Sequence, residues 1–298
     1  MLTERAVEVP GPVRMAGILT EPPGGARPGR VGVLLLNAGH LHRVGPGRLH
    51  VDLARRLARV GIAALRLDAP GVGESRERQD TLGDARADAL GDVGRALDAM
   101  TTWLPTDRFV LFGLCSGGEL AVDAGANDPR VAGVIALEGY AFPTPKFLAR
   151  RYLPRLVRPD AWVNRLRDLA SRAASRESTD NDDDDDAVSQ NRTFPQREDV
   201  AARLRTFMAR DGHLLAVFAG GPWHYVQYEG QFRDCFADVP FGDRLTVLHE
   251  PTADHLFTDL AIRERVVRRC VGFVQGVGDA PGTASLPSDP FPDTRRLA

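Results

Sequence analysis

The stretch Phe109-Val-Leu-Phe-Gly-Leu-Cys-Ser-Gly-Gly118 decides the fold. A short run of β-branched and aromatic residues ends in Gly113-Leu114-Cys115-Ser116-Gly117, and a helix-forming segment follows at once. A nucleophile on a sharp strand-to-helix turn is held in a strained backbone conformation. Glycines two residues to either side leave room for that turn. The amides at the start of the following helix point at negative charge that develops beside the nucleophile. The central position is Cys115, and Ser116 stands one place too late.

Strands and helices alternate on both sides of this turn. Residues 4–21, broken by Pro10, Gly11 and Pro12, suggest two edge strands in a hairpin. Val31 to Leu36 reads as a strand buried on both faces, and Ile62 to Leu67 as another. Between them, Leu49, Leu53, Leu57 and Val60 recur at helical spacing and are closed by Gly61. A helix over 84–104, a strand over 131–137, strands over 214–219 and 244–249 and a last helix over 256–275 complete the pattern. Such alternation predicts an α/β fold with a mostly parallel, doubly wound sheet. Ligands in such sheets bind outside the carboxyl ends of the strands, where Asn37–His42, Asp68–Ser75, Cys115 and Glu138–Tyr140 all lie.

The alternation breaks near Ala141. Residues 141–212 read as a helical cap inserted between a core of 1–140 and 213–278. The cap is rich in arginine and carries an acidic loop over 178–190. Residues 279–298 read as a disordered tail. Arginines such as Arg150 and Arg151 are either a solvated helix face or a receiver for an anionic acyl carrier.

A formal net charge of −2 gives no reason to expect nucleic acid or an anionic membrane as partner. Cys115, Cys235 and Cys270 are scattered and odd in number, so no disulfide framework is implied and a reducing compartment suits a working thiol. The mixed-charge start Met1–Glu8 lacks the pattern of a signal peptide, and the longest apolar run, around Val33–Leu36, is too short to span a bilayer. The expectation is a soluble cytoplasmic protein without cofactor. His40 and His42 are close together, but no carboxylate or cysteine stands at a supporting interval, so no metal is expected.

A cysteine nucleophile needs a base that takes its proton and returns it to the leaving group. Of seven histidines, only His255 lies in a loop directly after a late strand, in His249-Glu-Pro-Thr-Ala-Asp-His-Leu-Phe257. Nucleophile early and histidine last is the order used on α/β-hydrolase sheets.

With these residues the chain resembles the α/β-hydrolase superfamily across roughly residues 5–275. Its cysteine elbow is similar to that of the dienelactone hydrolases. Asn37-Ala-Gly-His-Leu-His-Arg-Val-Gly-Pro46, with Arg66–Ser75, resembles the exosortase-system-associated hydrolases more closely. The resemblance implies hydrolysis of an ester, thioester or lactone through an acyl-cysteine, with a small acyl compound, free or carrier-linked, as partner. An acyltransferase with the same triad and a non-catalytic binding protein of this fold are the alternatives. It also implies an oxyanion hole from the backbone amide of Ser116 with that of Gly39 or His40. A substrate pocket is expected near Asn37, Tyr140 and Trp223. The acid departs from the family pattern, since no aspartate stands early after the 214–219 strand. Glu229, 26 positions before His255 (255 − 229), and Glu138, at the end of the preceding strand, are both open. Asp254 adjoins the histidine and is expected to point away from it.

Overall fold

The computed structural model of the protein describes residues 1–79, 84–156, 195–220 and 226–279. Eight strands form one sheet: β1 (Thr3–Val9), β2 (Met15–Glu21), β3 (Gly32–Leu35), β4 (Ala64–Leu67), β5 (Phe109–Leu114), β6 (Val131–Leu137), β7 (His213–Ala219) and β8 (Leu245–Glu250). They lie in the order β1-β2-β4-β3-β5-β6-β7-β8. The β1–β2 hairpin is antiparallel and β2 meets β4 antiparallel, whereas β3 through β8 run parallel. This is the α/β-hydrolase arrangement that the resemblance implied.

Side-chain alternation along β5 divides the core in two. Phe109 and Leu111 face one apolar layer with α2 (Ala85–Trp103), α3 (Ser116–Asn127) and α5 (Arg197–Met208). Val110, Phe112 and Leu114 face the other, with α1 (Leu49–Arg59) and α7 (Leu260–Asp279). Both faces of the central strand are therefore dry, and each large side chain buried there stabilises the fold by about 1.5–3 kcal/mol.

The inserted region begins with α4 (Pro145–Leu156), and residues 157–194, with the acidic loop, lie outside the described residues. At its far end, α5 buries Val200, Ala201, Leu204, Phe207 and Met208 and packs against α3. That helix is thus part of the core layer, although the break in alternation at Ala141 had suggested a cap reaching to residue 212. A short helix α6 (Gln231–Cys235) has too few residues to show a period in sequence.

The last helix starts at Leu260, four residues later than its apolar spacing suggested. Asp259 caps it, accepting from the Ile262 amide at 2.8 Å. Just before it, Asp254 closes a separate turn by accepting from the amides of Leu256 (2.8 Å) and Thr258 (3.1 Å). His255 consequently sits in a capped loop and not on a helix. Among the described residues no helix is long and apolar enough to cross a membrane. Residues 280–298, most of the expected tail, lie outside the described residues.

Candidate active site

Cys115 stands between β5 and α3 at φ 59°, ψ −123°, a conformation that costs energy for a residue with a side chain. Its neighbours explain how the turn survives. A Cβ at Gly113 would overlap the backbone of Gly117, and one at Gly117 would overlap the carbonyl of Asn37. The Cys115 amide donates to Leu137 O of β6 at 2.8 Å, and its own carbonyl accepts from Gly118 (2.9 Å) and Glu119 (3.1 Å). The thiol is half-buried, whereas Cys235 and Cys270 are buried in the core, where desolvation raises the pKa of both thiols.

In the parallel register Leu114 pairs with Leu137, so the next residues, Cys115 and Glu138, leave neighbouring strands at the same level. Glu138 also has positive φ, 50°, and its amide donates to Val217 O at 2.8 Å. One carboxylate oxygen accepts from the Ala219 amide. The other lies 3.1 Å from Nδ1 of His255, and the carboxylate is only 10% exposed. The imidazole is bonded to Cys115 as well as to Glu138. These two contacts, that with Cys115 the larger, outweigh desolvation and raise its pKa to about 10. Because Nδ1 meets the carboxylate, Nε2 is the nitrogen left for sulfur. The arrangement can hold an imidazolium between two anions, store the thiol proton and deliver it to a leaving group.

Of the two carboxylates open from sequence, Glu138 is the one brought to His255. Glu229 is exposed, on the turn ahead of α6. Asp254 faces its own turn, as expected. Signals for Glu138 existed in the sequence, a carboxylate one step beyond a buried strand, but its pairing depends on strand order and register.

Ser116 begins α3, and its Oγ accepts from the Gly39 amide at 3.0 Å. Gly39 lies at φ 57°, on the loop after β3. Two side chains brace that loop. Asn37 accepts from the Ala69 amide (2.8 Å) and donates to Leu41 O (3.0 Å). Arg43 binds Asp68 through its guanidinium and, at 2.6 Å, through its amide, while the Glu74 amide adds a bond of 3.2 Å. The Asp68 carboxylate is fully buried. Gly73 (φ 54°) packs so close to it that a Cβ there would overlap. The Arg43–Asp68 pair escaped sequence reasoning because nothing in the spacing joins two loops 25 residues apart. His40 is exposed at the tip of the same loop. Among the described residues no group of three or more histidine, cysteine, aspartate or glutamate side chains is placed to hold a metal ion.

A cavity of about 280 Å³ opens between α2 and α3, lined by Leu36, Asn37, Gly39, Arg86, Ser116 and Leu120 among others. Asn37 thus lies where a pocket was expected. Tyr140 does not line that cavity: it is 2% exposed, and its hydroxyl accepts from Arg86 and donates to Asp123 at 3.0 Å, two residues that do line it. Its phenol packs as core because α3 and α2 offer both a carboxylate and a guanidinium there. Trp223 lies outside the described residues. Arg150 sits 5.0 Å, and Lys146 4.4 Å, over the ring of Tyr228, so both cations are engaged with an aromatic face. The side chain of Arg151 lies outside the described residues.

Comparison with known proteins agrees with this fold. A family model described as “Serine aminopeptidase, S33” matches residues 44–212. Among solved structures, a putative dienelactone hydrolase of Klebsiella pneumoniae aligns over 92% of this chain and 99% of its own at a TM-score of 0.58 and 13% identity. An esterase of Pyrococcus furiosus aligns over 92% and 91% at 0.58 and 13%. A dienelactone hydrolase-like promiscuous phosphotriesterase from metagenomic libraries aligns over 93% and 98% at 0.56 and 18%. Identities this low show a shared fold. No curated protein matches the sequence.

Proposed function

This chain belongs to the family described as serine aminopeptidase, S33, whose model spans more than half of its length, and on that premise we propose that it is a cysteine-dependent hydrolase of an ester, thioester or lactone. It is an α/β-fold hydrolase; what we add is the nucleophile and the bond. The single observation that carries the reading is the His255 ring bonded to both Cys115 and Glu138. Ser116, the residue a serine hydrolase would invite, lacks the strained backbone of the elbow and has its hydroxyl on Gly39.

The steps follow from the geometry. The Cys115 thiolate adds to the substrate carbonyl carbon, and the carbonyl π pair moves to oxygen, facing the amides of Ser116 and Gly39. Collapse breaks the bond to the alkoxide or thiolate leaving group, which takes its proton from Nε2 of His255. The acyl-cysteine that remains no longer offers His255 an anion. Its largest stabilising contact is then lost, so the neutral ring takes a proton from water, whose oxygen attacks the thioester and releases the acid and the thiolate. Glu138 keeps the ring oriented throughout. The resemblance of Asn37–Pro46 to the exosortase-system-associated hydrolases is the finer placement we favour within the superfamily.

Iodoacetamide labelling followed by peptide mass mapping tests the reading. Cys115 should be modified fastest of the three thiols, with loss of p-nitrophenyl acetate turnover. Cys115→Ala should lose both. Undiminished turnover by that variant would falsify the nucleophile assignment.

A further inference from the structure

The Gly39 amide, one of the two donors assigned above to the oxyanion, is occupied in the resting protein by the Ser116 hydroxyl at 3.0 Å. An N–H makes one well-aligned hydrogen bond at a time, so hydroxyl and oxyanion compete for it. We propose that Ser116 is a rate-setting residue whose hydroxyl stands in for the oxyanion at rest and must give up Gly39 as the tetrahedral intermediate forms. This inference rests on the Cys115 reading.

Two features favour displacement over a purely structural bond. First, the loop after β3 has supports of its own that do not touch the hole. Asn37 joins it to Ala69 and to Leu41, Arg43 joins it to Asp68, and Gly117 presses against the Asn37 carbonyl. Gly39 therefore keeps its place without the Ser116 bond. Second, the displaced hydroxyl has somewhere to go. Ser116 and Gly39 both line the cavity of about 280 Å³, and Ser116 is only half-buried, so its oxygen can turn to water instead of being stranded. No proton moves in the exchange: the carbonyl π pair becomes the oxyanion lone pair, which accepts from Gly39, and Ser116 Oγ loses one accepted bond.

Ser116→Ala keeps the backbone amide of residue 116 and removes only the competitor. Its kcat/KM for p-nitrophenyl acetate should rise roughly 2- to 10-fold, the worth of one net hydrogen bond. Inhibition by a trifluoromethyl ketone, whose carbonyl carbon bonds to the Cys115 sulfur and whose oxygen becomes a hemithioketal oxyanion, should tighten by the same factor. Alkylation of Cys115 by iodoacetamide passes through no oxyanion and should stay within twofold of wild type. Ser116→Gly should behave like Ser116→Ala and guards against a folding artefact in either variant. Unchanged or lower kcat/KM in both variants, with alkylation unchanged, overturns the inference. If iodoacetamide fails to modify Cys115 in the wild-type protein, the nucleophile reading fails instead, and this inference falls with it.

Discussion

Cys115 and Glu138 leave adjacent parallel strands one residue beyond the Leu114–Leu137 pair, so thiol and carboxylate are set side by side by sheet register. His255, delivered by the capped turn after β8, closes the line from the far side. Two of the three groups therefore stand at the ends of buried central strands.

Replacing Glu138 by Gln should lower kcat/KM on the order of 100-fold or more, since the ring loses its orienting anion. Glu229→Gln should remain within twofold of wild type. Initial rates of both purified variants on p-nitrophenyl acetate decide between the two carboxylates. Equal losses in the two variants would sink the assignment of Glu138.

The pH dependence follows from His255. Its pKa is raised from 6.5 to about 10 by Cys115 first and Glu138 second, so the imidazolium persists through neutral pH and is lost as pH rises through about 10. Acylation, followed as the pre-steady-state burst of p-nitrophenol, should accordingly hold up well above pH 7 and fall only on the alkaline side. In Glu138→Gln that alkaline limb should move to lower pH, because one of the two raising contacts is gone.

Arg43→Ala should destabilise the fold by about 3 kcal/mol, because it leaves the fully buried Asp68 carboxylate with backbone donors alone. Urea unfolding measures this directly. Adding Asp68→Asn to Arg43→Ala should recover part of the loss, since the stranded charge is removed. Additive losses would show that the pair does not act as a unit.

His50 is fully buried on α1, edge-on to Phe112 at 5.5 Å, with no partner on either ring nitrogen. Burial, with Arg66 as the lesser cause, lowers its pKa from 6.5 to about 4. The folded value lies below the unfolded one, so the unfolded chain takes up the proton first. Stability is lost as pH falls from 6.5 toward 4. His50→Met, similar in size and without an unsatisfied N–H, should gain about 1–2 kcal/mol at pH 7. It should also remove a loss of about 2 kcal/mol between pH 7 and pH 5. Urea titrations at the two pH values check both halves.

The sequence made the sheet and the elbow legible for one physical reason: both rest on local patterns. Phe109–Leu114 is apolar on two faces, and Gly113 and Gly117 flank a residue that needs positive φ. His255 was legible because it follows a strand late in the chain. Partnerships across the sheet were not. Glu138 and Glu229 looked alike until register brought one of them to the ring. Tyr140 resembled a pocket residue because it follows a strand end, yet its hydroxyl is drawn inward by Asp123 and Arg86. The reach of the insertion was misjudged for a similar reason: the helix over 197–208 is amphipathic in either setting, and only α3 shows which surface it covers.

Glu138 also grips the backbone of β7 through the Ala219 amide while it orients His255. Loss of that carboxylate therefore frees a strand amide as well as a ring, so Glu138→Ala should unfold at lower urea than the wild-type protein.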